Sequence, residues 1–465
     1  MEEFIVAIEL GSTKIIGVAG RKELDGSFSV LATAKEDAST CIRKGIVYNL
    51  DKTALCIKNI VGRLETSLKT RVARVYVGVG GQSLRSIKNV VGKDLPANTI
   101  VTIDMIDELR DTNRNMPYPD MEILRDAIQE YKVDNQYQVD PVGIPCQHLD
   151  GNFLNIVWRK TFYNNLNKCF EMANVKIAEM RISLLALANN ILTEAEKRTG
   201  CILVDLGAET TSMAVYHKNI LRHLAVIPIG SNNITKDIAS LNIEEDEAER
   251  LKLKYGNGHS NDTAINSSET ITVDADRTIK VSEFSAAVEA RAEEIVQNVE
   301  HQIPFEYNRN LMGGIILTGG GANLKNIDVL FRNITHIDKV RIAKFINQDI
   351  HTLDPEIKAQ NGLYNTVLGL MVSGDMNCAG NKLTNDLFGP EPQPEEPEEP
   401  TQPIITVEVP KAPGYGDNQS VDVVIRPEDL KEEEEEMPRR KGNGMFKRIG
   451  NRLGSWLGSL IDEED

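Results

Sequence analysis

Ile5-Val6-Ala7-Ile8-Glu9-Leu10-Gly11-Ser12-Thr13-Lys14 and Ile202-Leu203-Val204-Asp205-Leu206-Gly207-Ala208-Glu209-Thr210-Thr211 carry one pattern twice. Each is an apolar strand, an acid, an apolar residue, a glycine, a short polar turn and a second apolar strand. Glu9 aligns with Asp205 and Gly11 with Gly207, at an offset of 196 residues. That offset is domain-sized, so the expectation is two similar domains, each opening with a β-hairpin. Glycine admits a positive φ and lets a ligand come close to the backbone. The N–H groups of such a turn, with Ser12, Thr13, Lys14, Thr210 and Thr211 around them, are candidates to hold phosphate oxygens. Glu9 and Asp205 lie beside them at the strand ends. Mg²⁺ prefers oxygen ligands and keeps several waters, so it can bridge carboxylate and phosphates. Two such hairpins face to face would clamp a triphosphate. A single acid-x-Gly turn is only a hairpin; the repetition is what carries information.

Two further elements extend the pattern. Ile315-Ile316-Leu317-Thr318-Gly319-Gly320-Gly321-Ala322 reads as a strand running into a glycine turn, with a helix from Asn323 onward. Gly319, Gly320 and Gly321 leave room for a flat ring or ribose against backbone, and a helix N-terminus offers free N–H groups. Neither a Gly-Lys-Ser/Thr phosphate loop nor a dinucleotide fingerprint is present. Glu249 and Lys252, three apart on one helix face, are candidates for hydrogen bonds to an adenosine; a solvated ion pair is the bland alternative.

The remainder of the 465 residues frames these elements. The length allows two to four domains. Strand-like runs alternate with helical periodicity up to about residue 385, which indicates an α/β fold. The helical stretches include Leu50–Leu68, Leu184–Arg198 and Leu324–Asn333. No run approaches eighteen apolar residues, so no membrane-spanning helix is expected. Glu9 follows the apolar run Phe4–Ile8 at once, unlike a signal peptide. Six cysteines lack paired spacing and read as reduced, neither a disulfide set nor a zinc site. An acidic globular part argues against nucleic acid as a partner.

The net charge of -17 is unevenly spread. Residues 1–390 carry about -7, whereas residues 391–436 hold fifteen acids against three bases. Ten of the eighteen prolines lie between Pro390 and Pro438. Residues 386–444 therefore read as a disordered acidic linker that cannot bury a core. Beyond it, Phe446, Ile449, Leu453, Trp456, Leu457, Leu460 and Ile461 recur at spacings of three and four and form one stripe. Lys447, Arg448 and Arg452 fall off it. This is a basic amphipathic helix of the kind that lies in a membrane surface; docking on its own domain or in a partner groove is the alternative.

Together these residues resemble the actin/Hsp70/hexokinase ATPase superfamily. The acid-x-Gly hairpins look like its two phosphate motifs, and Leu317–Ala322 like its adenosine motif. Leu184–Arg198 and Gly362–Leu370 are similar to its two connecting helices. Within the superfamily the resemblance is to the FtsA family of bacterial cell-division proteins. It is carried by Val77-Gly78-Val79-Gly80-Gly81-Gln82-Ser83-Leu84, by Ile234–Ala239 with Ala248–Lys252 and Tyr255-Gly256, by Ala290–Ile295, and by the acidic linker ending in an amphipathic tail.

The resemblance implies an actin-like (RNase H-like) two-domain ATPase fold with an inserted α+β subdomain. Residues 1–81, 166–200 and 361–385 would form domain 1, residues 82–165 the insertion, and residues 201–360 domain 2, followed by the linker (386–444) and the tail (445–465). It implies an ATP-binding protein, with Mg²⁺ held mainly through phosphates and water. Such a protein tethers filaments of the tubulin-like GTPase FtsZ to the cytoplasmic side of the inner membrane at the division septum. Further expectations are self-assembly into filaments, recruitment of late division proteins, and capture of the FtsZ C-terminal peptide on the second domain, where Arg291 is a candidate contact. Two departures stand out. Glu9 occupies the family's Asp position, and Ala208-Glu209 replaces glycines, so Glu209 would repel phosphate unless it points away. No Glu or Gln near Ser183–Leu184 is placed to orient a water, so slow or undetectable turnover is expected. Other readings are another actin-like assembly module, for pilus assembly or cell shape, and a small-molecule kinase of the same superfamily.

The tail reading makes a direct prediction. Each base near an anionic leaflet contributes roughly 1 kcal/mol, and the apolar stripe adds to this. Replacing Trp456 and Leu457 with Glu should release the full-length protein from anionic liposomes in a sedimentation assay. Continued co-sedimentation would mean the stripe is not the anchor.

Overall fold

The computed structural model describes residues 3–260, 269–274, 277–307 and 311–382. The acidic linker and every residue assigned above to the membrane helix, from Phe446 to Ile461, lie outside the described residues. Among the described residues no helix is long and apolar enough to cross a membrane.

Two sheets share one strand order. The first runs Ile177–Ile182, Val75–Val79, Ile5–Leu10, Lys14–Lys22, Phe28–Asp37 with Ile350–His351 at its edge, and the second contains Val340–Ile342, Gly314–Thr318, Cys201–Leu206, Thr211–His217, Ile220–Ile227. In each, the first three strands in sequence are antiparallel neighbours. The other two add in parallel beyond the first strand. The register repeats as well. Glu9 lies opposite Ile16 as Asp205 lies opposite Ser212, and Leu10 opposite Ile15 as Leu206 opposite Thr211. The sequence echo is thus a structural duplication, as the actin-like expectation requires.

The central strands are apolar throughout because both of their faces are covered. Val6, Ala7 and Ile8, and likewise Ile202, Leu203 and Val204, are fully buried. Side-chain alternation divides Cys201–Leu206 between two cores. Cys201 and Leu203 pack into the core of the first sheet, and Ile202, Val204 and Leu206 into that of the second. One strand therefore mechanically couples the two halves. The helix Leu50–Leu68 forms over the residues expected, capped by the Asn49 side chain, and buries Ile57, Ile60 and Leu64.

Two helix expectations need correction. Leu184–Arg198 is two helices, Ser183–Ile191 and Glu194–Thr199. Thr193 breaks the run because its hydroxyl and the Glu196 carboxylate form a capping box that starts the second helix. The helix placed at Asn323 onward begins at Ile327, after a 3₁₀ turn over Gly320–Asn323. Asn326 interrupts it with a left-handed backbone (φ 58), and its amide donates to Asn257 Oδ1 and the His259 carbonyl.

Between Gln82 and Lys160 the chain forms three long antiparallel strands, Arg85–Ile100, Met121–Val133 and Pro145–Arg159. The helix Ile103–Arg114 covers them, with a separate core around Leu109, Tyr131, Leu149 and Phe153. Their mixed composition concealed them from hydropathy: along Arg85–Ile100 no residue is fully enclosed. This sheet continues into the second large sheet, where Arg85 pairs with Ala225. Ser86 Oγ accepts from Leu224 N–H, and Arg222 pairs with Glu130 at 2.8 Å.

Glu196 fastens the short helix to the second sheet. It takes a bidentate contact from Arg341 (2.7 and 2.9 Å) while also closing the capping box. Burial pushes this carboxyl up, but the Arg341 and Thr193 bonds outweigh it, and its pKa lies below the usual range. Glu196→Ala should cost about 1–2 kcal/mol in urea unfolding, because it removes the bidentate contact to Arg341 and uncaps the helix. A loss under about 0.5 kcal/mol would show the pair to be ornamental.

Candidate functional site

The two hairpin turns have the same internal bond. Gly11 N–H donates to the Lys14 carbonyl and Gly207 N–H to the Thr210 carbonyl, both at 2.9 Å. A Cβ at either glycine would stand 2.8 Å from that carbonyl oxygen. The glycines are thus demanded by close approach rather than by the positive φ expected from sequence, which neither adopts. Ser12 is buried, and its Oγ accepts Gly45 N–H at 2.9 Å. Thr13 and Thr210 are partly exposed, and Lys14 is exposed. Thr211 is fully buried and its hydroxyl donates to the Ile229 carbonyl, so its side chain serves the fold.

The strand ends bring Glu9 and Asp205 within reach of each other's charge. Burial, then the Asp205 charge, pushes the Glu9 carboxyl up to about 8, against the pull of hydrogen bonds from the Val367 N–H and the Thr366 hydroxyl. Burial pushes Asp205 up to about 6. Both residues keep some accessible surface, yet Glu9 Oε2 is enclosed and has no hydrogen-bond partner. Thr366 and Val367 belong to the first turn of the helix Asn365–Val372, whose dipole favours a carboxylate there. The longer side chain of Glu9, compared with Asp, is what reaches this helix.

The glycine turn lies directly against these acids. A Cβ on Gly319 (φ 84) would collide with Asp205 Oδ1 at 2.3 Å, and one on Gly321 would meet the Leu206 carbonyl at 3.0 Å and the Ser231 side chain at 3.3 Å. Gly320 is open apart from Leu363. Gly362 (φ 82), at the approach to Asn365–Val372, packs on the Gly319 backbone. Ser231 and Asn232 donate their N–H groups to the Gly207 and Ala208 carbonyls, which ties the second turn to the helix Ser231–Ala239.

Glu249 and Lys252 join the same neighbourhood through Ser231. Lys252 is nine-tenths buried and donates to the Ser231 carbonyl, Thr235 Oγ1 and Glu249 Oε2 at 3.2, 2.8 and 2.6 Å. Glu249 remains half-exposed. The two form an ion pair, but a structured one beside the glycine turn rather than a solvated one. Arg291 is held by Asp237 (2.6 and 3.1 Å) and by Glu294. Glu209 points away from its own turn, toward the first domain, and accepts Lys44 N–H at 2.7 Å. Sequence reading missed Gly45 and Ser231, and placed Gly362, Thr366 and Val367 only in a connecting helix, not in the site.

The arrangement fits a polyphosphate with a hydrated cation. It has two glycine turns, a glycine-lined floor and an enclosed carboxylate oxygen with no partner. Among the described residues no cluster of three or more His, Cys, Asp or Glu could hold a metal. A cation here would therefore rest on phosphates and water beside Glu9 and Asp205.

A family model described as "Cell division protein FtsA" matches residues 202–369, and one described as "SHS2 domain inserted in FTSA" matches residues 81–157. "Cell division protein FtsA" of Porphyromonas gingivalis is 30% identical over 420 residues, covering 85% of this chain and 88% of that protein. The protein of the same name from Escherichia coli K12 is 25% identical over 388 residues, covering 80% and 90%. Among solved structures, a chain of the "PilM-PilN type IV pilus biogenesis complex" superposes with a TM-score of 0.55 at 16% identity, over 79% of this chain and 97% of that one. That likeness establishes the actin-like fold.

The raised Glu9 pKa makes stability fall with pH. A carboxyl that holds its proton more tightly when folded is neutral at no cost below its unfolded value near 4.5. It destabilises the fold increasingly from there to about 8. Glu9→Gln should therefore match the wild type near pH 5 and exceed it in stability at pH 8, measured by urea denaturation. A difference that does not grow with pH would contradict the burial argument.

Proposed function

The chain belongs to the FtsA family of cell-division proteins, and from that premise we propose that it is an ATP-binding adaptor that tethers FtsZ filaments to the cytoplasmic face of the membrane at the septum. The observation that carries the nucleotide half is the duplicated hairpin floor, with Glu9 and Asp205 meeting beside Gly319. In this reading the turns of Gly11 and Gly207 receive the phosphates, and the Gly319–Gly321 turn with Glu249 and Lys252 receives the nucleoside. When bound, Mg²⁺ neutralises the phosphates and relieves the repulsion between Glu9 and Asp205. The enclosed floor holds these carboxylates and keeps bulk water from them.

The tethering half rests on family membership and on the apolar stripe with its flanking bases read between Phe446 and Ile461. The segment 82–165 offers a separate surface for late division proteins. The FtsZ C-terminal peptide would dock on the second domain near Arg291, whose guanidinium is oriented by Asp237. Filaments of the protein would multiply weak single-helix anchoring through effective concentration.

One experiment addresses both halves. The full-length protein is titrated with labelled ATP and with the FtsZ C-terminal peptide. Both should bind, and Asp205→Ala should weaken ATP at least tenfold while leaving the peptide unaffected. Failure to bind the peptide would favour a pilus-type or cell-shape role, and rapid phosphoryl transfer to a small acceptor would favour a kinase.

A further inference from the structure

The turn Lys44-Gly45 joins the short strands Ile42–Arg43 and Ile46–Val47. Both residues have left-handed backbone, φ 49 and 71, as a two-residue hairpin turn requires. Its two successive N–H groups each go to a different phosphate-type hairpin. Gly45 donates to Ser12 Oγ (2.9 Å) on the first, and Lys44 donates to Glu209 Oε2 (2.7 Å) on the second. The turn is itself braced, since Gln82 N–H donates to the Lys44 carbonyl and Gly45 lies against the Gly81 backbone. Adjacent backbone N–H groups of this kind form an anion-binding concavity. Here the anion is supplied from within: the Glu209 carboxylate, only 20% exposed, with the Lys236 ammonium 3.8 Å from its other oxygen.

This turn is the element that bonds to both hairpins, so a phosphate chain lying across the Gly11 and Gly207 turns would present its outer end to it. We propose that Glu209 is a built-in stand-in for the terminal phosphate of a nucleoside triphosphate. It holds the Lys44 N–H and tilts the site toward the diphosphate. The inference rests on the nucleotide reading above and deepens it. A third phosphate must displace the carboxylate from its N–H donor and then lie beside its negative charge. A diphosphate leaves the Glu209–Lys44 bridge across the two domains intact. Lys236 softens the conflict without removing it, because its ammonium is already half-committed to the same carboxylate.

The test compares labelled ATP and ADP, each with Mg²⁺, on the full-length wild type and on Glu209→Gln, with Glu209→Gly as the second variant. Hydrogen exchange at the Lys44 amide is followed without nucleotide. Both variants should raise the ratio of ATP to ADP affinity about tenfold, near the water-screened end of the range for one close like-charge contact. The Lys44 amide should exchange faster in both. If both nucleotides bind and the ratio stays within twofold of wild type, the stand-in role is overturned while the nucleotide site survives. If neither nucleotide binds to any of the three proteins, the inference falls together with the nucleotide reading.

Discussion

Two carboxyl groups are pressed together where the halves of the molecule meet, and much of the architecture answers to that constraint. Glu9 and Asp205 end the first strands of two sheets with the same order and register, and the charge of Asp205 reaches Glu9. Burial raises both pKa values, and the Asp205 charge raises that of Glu9 further. The fold provides a first turn of helix at Thr366 and Val367 to receive one of them, and a glycine turn that lets the other approach unhindered. In the proposed reading, a hydrated cation carried in on phosphates would supply the positive charge that these acids lack. Acids that would be a liability in a structural core thus make sense as the floor of a ligand site.

The joint is built from backbone contacts as much as from side chains. Gly362 (φ 82) rests on Gly319 across it, where a Cβ would stand only 3.3 Å from the Gly319 nitrogen. Beside the phosphate-type turns the halves are joined by a polar contact, Lys44 N–H to the Glu209 carboxylate. Such contacts can be exchanged for a ligand's oxygens at little cost, whereas apolar packing could not. The apolar coupling lies elsewhere, in the strand Cys201–Leu206, whose alternate residues fill two cores.

The insertion and the departures from family pattern show how local chemistry adapts. The sheet beginning at Arg85 fuses with the second large sheet through one strand pair and a buried Arg222–Glu130 contact, so it extends the scaffold rather than hanging from it. Glu9 exceeds Asp by one methylene and uses the length to reach the connecting helix. Glu209, expected to repel phosphate if it faced inward, turns instead to an N–H on the opposite domain.

How much was legible beforehand follows from the range of the interactions involved. The two hairpins, the helix Leu50–Leu68 and the glycine turn could be read because each is written in adjacent residues: apolar runs, caps and glycines at fixed offsets. The break at Thr193 was also local, a capping box hidden by an otherwise helical run. The strands of residues 85–159 could not be read, since their burial depends on partners far along the chain. Nor could the roles of Lys44, Gly45, Ser231 and Thr366, whose significance is the company they keep. By itself the sequence determined the duplication and the acids and glycines it repeats, because backbone geometry and hydrophobic periodicity act over a few residues. Only the tertiary structure decided that the Asp205 charge and a helix end both act on Glu9, that Glu209 turns to the Lys44 N–H, and that Arg291 is held by Asp237. Charge and hydrogen bonding depend on distance in space, which sequence spacing does not record.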